Sequence, residues 1–217
     1  MSWEYSDHPD RDSVTESCKK IQNDLIAKED LRASVLVDTR PFHFEMFSQV
    51  VPAGFEGFAG SYRGSDYPYL KHAPVVIGWE DESGKYHIVH QGTSPVLVAA
   101  EMEKFHADLK LDLEKLSKLD LDTERKIILL AHILSKYVVV FLSIHPYANG
   151  NGHISRLIAW VIFLSKGFFI QNWDLDVRPE HPFDHCIQLY QQGDTRAMRT
   201  YFYCVLREGG LPFSQSS

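Results

Sequence analysis

Apolar residues recur at helical spacing over most of this chain. Between Ser13 and Asp30, Val14, Cys18, Ile21, Leu25 and Ile26 fall on one face of a 3.6-residue period, which predicts a short amphipathic helix. A second helix is expected from Asp38 to about Val50, with Asp38 or Thr39 as its cap and Pro41 in its first turn. Residues 51–74 break the pattern: Pro52, Gly54, Gly57, Gly60, Gly64, Pro68 and Pro74 read as a long surface excursion. Val75-Val76-Ile77 and Tyr86-His87-Ile88-Val89 are β-prone runs on either side of a turn composition at 80–85, so a β-hairpin is predicted across 75–90. A lone hairpin is marginal and must lie on something larger.

The helical period then returns. Ser94-Pro95 opens a helix to about Leu109, and Leu111, Leu113, Leu116, Leu119 and Leu121 are expected to line a linker. Asp122 or Thr123 starts a long helix to about Ile144 that is apolar almost all round, the mark of a central buried helix. Its run from Ile127 holds His132 and Lys136 in the middle, which favours a buried helix over a membrane span. After a break at 145–152, Ile154 to Lys166 forms another apolar helix closed by Gly167. Two more helices follow, near 181–192 and 194–208, separated by Gly193-Asp194 and ended by Gly209-Gly210. The expected class is therefore mainly α: residues 1–12 polar and loose, 1–39 an N-terminal extension with one helix, and 40–217 the principal domain.

Composition narrows the function. Of 217 residues, 44% are hydrophobic and 24% charged, the balance of a globular chain. Lys plus Arg is 22 against 29 Asp plus Glu, a formal net charge of −7, so no domain-wide basic field invites nucleic acid. Cys18, Cys186 and Cys204 show no CxxC spacing, which fits a reducing compartment. The N-terminus MSWEYSDHPDRD has no apolar core, so no signal peptide and no membrane association are expected.

The chemistry concentrates in the break between the two most apolar helices, His145-Pro146-Tyr147-Ala148-Asn149-Gly150-Asn151-Gly152-His153-Ile154-Ser155-Arg156. A structural turn needs only a cap and a glycine. Here Gly150 and Gly152 let backbone approach a ligand, and their N–H groups, with those opening the next helix, can form an anion nest. Arg156, one helical turn inside, can meet the same anion, and His145 on the opposite lip can take a proton at neutral pH. A base, an anion cradle and a cation together describe attack of a hydroxyl on a phosphate.

These residues resemble the motif of the Fic family, H-x-F-x-D/E-G-N-G-R-x-x-R, which that family carries on a loop between two central helices. His145, Gly150, Asn151, Gly152 and Arg156 match in place. The preceding long helix, the upstream hairpin (the family's flap) and Gly60-Ser61-Tyr62-Arg63 before it also fit. The resemblance covers roughly 40–208 and is most specific over 123–167. It implies a helical domain with a central helix-loop-helix and a small hairpin. It also implies transfer of AMP, or of a phosphocholine, UMP or phosphoryl group, from a nucleotide such as ATP to a Tyr, Thr or Ser hydroxyl of a target protein docked at the 75–90 hairpin. His145 would be the base, and Tyr147 would fix the loop in the core. Gly150, Asn151 and Gly152 would cradle phosphate, Asn151 holding a non-bridging oxygen, and Arg156 would bind phosphate or brace the cradle. The implied location is the cytoplasm, or a host cell if the protein is delivered as an effector. The alternatives are a divergent enzyme with another donor, or a catalytically weak scaffold that binds.

Three positions depart from the pattern. Tyr147 replaces the motif's Phe, a mild change if its hydroxyl finds a partner. Asn149 stands where the family has an acidic Mg²⁺ ligand, and an amide oxygen is a weaker ligand for a hard dication. His153 stands where an arginine grips the distal phosphates; it is shorter and only partly charged at pH 7. Cys204-Val205-Leu206-Arg207-Glu208-Gly209 approximates the family's inhibitory helix, with Glu208 as its acid, but is better read as an ordinary helix end with a C′ glycine. His181 and His185 at i, i+4 could bind zinc or sit on the surface. His87 and His90 should face opposite sides of an exposed strand, and Tyr62, Tyr67 and Tyr69 are read as loop packing.

Overall fold

In the computed structural model, which describes residues 3–80 and 83–212, eight helices and two small sheets are arranged about one central helix. That helix is α5, Thr123–Ile144; the others are α1 (Asp12–Ala27), α2 (Glu29–Val35), α3 (Arg40–Phe47), α4 (Val98–Ser117), α6 (Asn151–Ser165), α7 (Phe183–Gln191) and α8 (Arg196–Gly209). Asp122 caps α5, its carboxylate accepting the Arg125 N–H at 2.8 Å, and Leu130, Leu134, Val138 and Phe141 are buried. By length and composition α5 could cross a membrane, but over half of its apolar window is buried inside the fold, as for a core helix. Helices α4, α6 and α8 pack directly on α5.

Polar ties fix how these helices sit. Asp112 of α4 accepts from Lys136 Nζ at 2.9 Å and Tyr137 Oη at 2.8 Å, and the paired cation holds its carboxyl below the usual range despite opposing burial. Glu124 accepts from Tyr203 and Arg207 of α8. Helix α6 is buried at every position except Gly152 and Ser165, with Asn151, His153, Ser155 and Arg156 among the buried residues of its first two turns and an apolar run from Leu157 to Leu164 beyond them.

The hairpin forms as expected: β1 (Val76–Glu80) pairs antiparallel with β2 (Tyr86–Gln91), with a bulge at Ile77/Gly78. Its turn residues Asp81 and Glu82 lie outside the described residues.

Four expectations need correction. Helix α4 runs to Ser117, so Leu111, Leu113 and Leu116 are helical, not linker; a run of Leu, Lys and Glu without Gly or Pro has no reason to stop at Leu109. A second pair of strands exists, β3 (Phe168–Ile170) with β4 (Gly210–Pro212); three-residue strands whose partners are some forty positions apart carry no periodic signal. The 51–74 segment is a layer of the core as well as a loop: Phe58, Arg63 and Leu70 are all buried. Residues 3–7 are seated, not loose. Trp3 stacks on Phe58 with centroids 5.2 Å apart, meets Phe47 edge-on, and donates its indole N–H to Val50 O at 3.2 Å.

Trp3 is 5% exposed, so Trp3→Ala should cost about 3 kcal/mol in denaturant unfolding. A cost no larger than that of a surface change, roughly 0.5 kcal/mol, would show that the segment is not held.

Candidate active site

Helix α5 ends where the candidate chemistry begins. His145 is its C-cap, in the left-handed region at φ 52°, and its N–H reaches back to Phe141 O at 2.9 Å. A histidine is strained there, and the position is normally a glycine's. Arg63 holds it. From the buried 51–74 layer, the guanidinium donates to His145 O at 2.7 Å, Ile144 O at 3.0 Å, Thr93 O at 2.9 Å and Ala73 O at 2.9 Å. Its own backbone N–H bonds Pro146 O at 2.8 Å.

The loop beyond is clasped from both sides. Tyr147 is fully buried, stacked on His43 with centroids 3.8 Å apart, and its hydroxyl meets Thr39 Oγ1 at 2.7 Å. That bond takes the Thr39 side chain, which makes no cap for α3. The Asn151 amide clasps Tyr147: Oδ1 accepts the Tyr147 N–H at 3.0 Å and Nδ2 donates to Tyr147 O at 2.9 Å. Asn151 can still meet an anion through its backbone N–H and through the second hydrogen of Nδ2. His43 bridges α3, Gly60 and the loop: its Nδ1 accepts the Gly60 N–H at 3.0 Å and its Nε2 donates to Asn149 O at 3.0 Å. Those two bonds require the neutral ring.

The anion cradle is the first turn of α6. Gly150 is its N-cap at φ 76°, and a Cβ there would lie 2.4 Å from the Phe47 ring, so only glycine fits. Gly150 O accepts from His153 and Ile154 N–H, while the N–H groups of Asn151 and Gly152 have no partner among the described residues. Arg156 lies beneath them. Its Nε is anchored on Leu175 O at 2.8 Å, and its Nη1 is 3.3 Å from where a Gly152 Cβ would stand. The two terminal nitrogens make no hydrogen bond among the described residues. Burial lowers Arg156 to about 10, so it stays charged at neutral pH.

Asn149 and His153 face the N-terminal segment. Asn149 Nδ2 donates to Trp3 O at 2.7 Å and Glu4 Oε2 at 3.0 Å, and its Oδ1 accepts the Gly150 N–H at 2.6 Å. A single amide oxygen already occupied does not fit a hard dication, and no cluster of three His, Cys, Asp or Glu suited to a metal occurs among the described residues. The His153 ring packs edge-on to Tyr5 and Phe47, with Nε2 3.3 Å from the Tyr5 hydroxyl.

Burial controls the protonation of the three site histidines. It pushes His153 down to about 3, helped by Arg156 and His43, so His153 is neutral at pH 7 and not partly charged as its type suggests. Burial, then Arg63 and His90, hold His145 at about 4 against the Leu142 carbonyl, and burial lowers His43 to about 4. His145 Nδ1 is buried with no partner at hydrogen-bonding geometry, which leaves Nε2 to meet a reactant.

Other candidate residues fall elsewhere. Glu208 is exposed at the end of α8 and lines a cavity of about 1270 Å³ between α7, α8 and the 170–180 loop, whose lining contains none of residues 145–156. The carboxylate that touches the loop is Glu4, and nothing in the sequence marks it. His90 is not exposed: its Nε2 donates to Ser143 O at 2.9 Å beside His145. The His87 side chain lies outside the described set. His181 and His185 are exposed, with rings 6.5 Å apart. Tyr62 packs on Tyr147, and Tyr69 on Phe55 and Phe58.

No protein-family model matches the sequence, and no curated protein matches it. Solved structures do match in fold. One is the N-terminal Fic domain of a VirB-translocated Bep effector protein from Bartonella quintana, with a TM-score of 0.53 and 16% identity; the match covers 92% of this chain and 83% of that one. The chain thus has a mainly α, Fic-type fold.

The buried histidines predict acid lability. Each is neutral in the folded chain but protonates in the unfolded chain below about 6.5. Their contribution is intact above that pH and is lost as pH falls toward about 4 for His43 and His145 and about 3 for His153. Urea unfolding from pH 7.5 to 4.5 should show stability falling with a limiting slope of ~1.4 kcal/mol per pH unit for each histidine. A flat profile over that range would contradict these burial effects. Tyr147→Phe should cost about 1 kcal/mol by stranding the Thr39 hydroxyl, and Thr39→Val should recover most of it in the double variant. Additive losses would mean that the pair is not coupled.

Proposed function

We propose that this protein is a transferase that moves AMP or a related phosphate-linked group from a nucleotide donor to a Tyr, Thr or Ser hydroxyl of a target protein. One observation carries the reading. A neutral, half-buried His145 stands on the same short loop as a cradle of two N–H groups and the end of Arg156, none of which has a partner among the described residues. In the step this supports, the hydroxyl oxygen attacks the donor's phosphorus and its proton passes to His145 Nε2. The bond to the leaving group breaks, and the leaving group departs with the electron pair. The Asn151 and Gly152 N–H groups and Arg156 balance negative charge on the reacting phosphate, where preorganised donors lower a barrier most. The target segment would lie along the β1–β2 hairpin, whose second foot, at Thr93, shares Arg63 with His145. The setting would be a cytoplasm, the protein's own or that of a host; the Bartonella neighbour is a translocated effector.

A second observation bears on the donor. Asn149 is tied to Trp3 and Glu4, and His153 is neutral, so motif positions 149 and 153 supply neither the carboxylate nor the guanidinium that would serve a metal-bound pyrophosphate. This favours a donor whose leaving group carries less charge than pyrophosphate, and no step of the mechanism is routed through Mg²⁺.

Intact-mass analysis after incubation with ATP, UTP or CDP-choline should show the protein or a target gaining one transferred group. His145→Ala, or His145→Asn, which tolerates a left-handed backbone better, should lower that rate by ~10²–10⁴ with the fold retained. Equal rates in wild type and both variants would remove His145 from the mechanism. Gly152→Val should weaken donor binding, because its side chain would press on Arg156 Nη1, 3.3 Å from the new Cβ. Unchanged affinity would move the phosphate elsewhere.

A further inference from the structure

We propose that Arg63 is the positioning residue for His145: one guanidinium ties the histidine's left-handed backbone to both feet of the β-hairpin, so that the hairpin's placement sets the histidine's orientation. That His145 is worth positioning rests on its reading as the base; the mechanical coupling does not.

The four carbonyls that Arg63 holds come from three places. His145 and Ile144 close α5, Ala73 precedes β1, and Thr93 follows β2. Capping alone does not call for this arrangement. A glycine at 145 would close the helix without strain, and a buried cation is a costly cap. Arg63 is 1% exposed and has no carboxylate partner among the described residues; burial alone lowers it, to about 10. Carbonyl dipoles at the negative end of α5 are what stabilise its charge.

The hairpin's foot also touches both members of the pair. Gly92 bonds Val75 O through its N–H at 3.0 Å, and the Thr93 N–H bonds Ile144 O at 3.3 Å. A Cβ on Gly92 would stand 3.3 Å from Arg63 Nη2 and 3.4 Å from His145 Cβ. No side chain therefore separates hairpin, guanidinium and histidine, and a shift of the hairpin must move one of the other two. The charged or titratable groups facing His145 are Arg63, from the 51–74 layer, and His90, from β2.

The test is an NMR titration of the His145 ring, assigned by difference from His145→Asn, with its Cα shift as a reporter of the left-handed backbone. It is run on wild type, Arg63→Gln, Arg63→Lys and Gly92→Ala. Arg63→Gln removes the nearest cation and three of the guanidinium's donors, so the His145 pKa should rise by about one unit and its Cα shift should move. Arg63→Lys keeps the charge but cannot span four carbonyls, so the Cα shift should move with a smaller pKa change. Gly92→Ala removes no bond and should perturb the same two reporters from the hairpin side. With an active donor, each variant should lower kcat by on the order of 10–100-fold, with donor KM unchanged. His145 reporters that match wild type in folded Arg63→Gln, or in Arg63→Lys and Gly92→Ala if the first does not fold, would overturn the proposal. If the reporters move as expected while wild type transfers nothing from any donor, the positioning role stands and the transferase reading fails.

Discussion

A long apolar helix that ends inside a protein leaves carbonyls with no partner, and such groups are costly to bury. At the C-terminus of α5 the Arg63 guanidinium meets that need, satisfying Ile144 and His145 and gathering Ala73 and Thr93 into the same cluster. Much else depends on this cluster. It lets the chain leave α5 through a left-handed histidine, and it roots the hairpin. It also fixes the start of a loop whose far end is the N-terminus of α6. The loop thus runs from the negative end of one buried helix, where a cation sits, to the positive end of another, where an anion is expected.

Between these ends the protein uses neutral groups almost exclusively. His43, His145 and His153 are all kept uncharged by burial, and the Asn151 amide and the Tyr147 hydroxyl are each bonded to internal partners. Arg156 is then the one permanent charge placed within the loop and the first turn of α6. In such surroundings a charge is poorly screened, and two N–H groups and one guanidinium can act strongly on a phosphate. The same dryness explains why His153 cannot replace an arginine by becoming protonated.

The parts of the fold written in short-range pattern were legible in the sequence. The all-round apolar content of 123–144, its Asp122 cap and the closing Gly167 gave α5 and α6, and the crowd of His, Asn, Gly and Arg between them marked the site. The unreadable parts depend on partners far apart in the chain. His43 bonds Asn149 across 106 positions, and Asn149 bonds Trp3 across 146; neither pairing leaves a local signature. Thr39 reads as a cap because threonine usually caps, but its hydroxyl is drawn to Tyr147 by a core that must satisfy a buried phenol. Arg63 lies among glycines and prolines, where a charged residue is read as exposed. Only the folded chain shows that loop to be a buried layer.

On this structure the first turn of α6 is built to hold a phosphate. The most direct measurement is amide NMR during titration with inorganic pyrophosphate at pH 7 and low salt, with no metal present. Saturable shifts should be led by the Asn151 and Gly152 amides, whose N–H groups have no partner among the described residues, with reduced affinity in Arg156→Gln. Shifts that leave both amides unchanged, or that survive intact in Arg156→Gln, would contradict it.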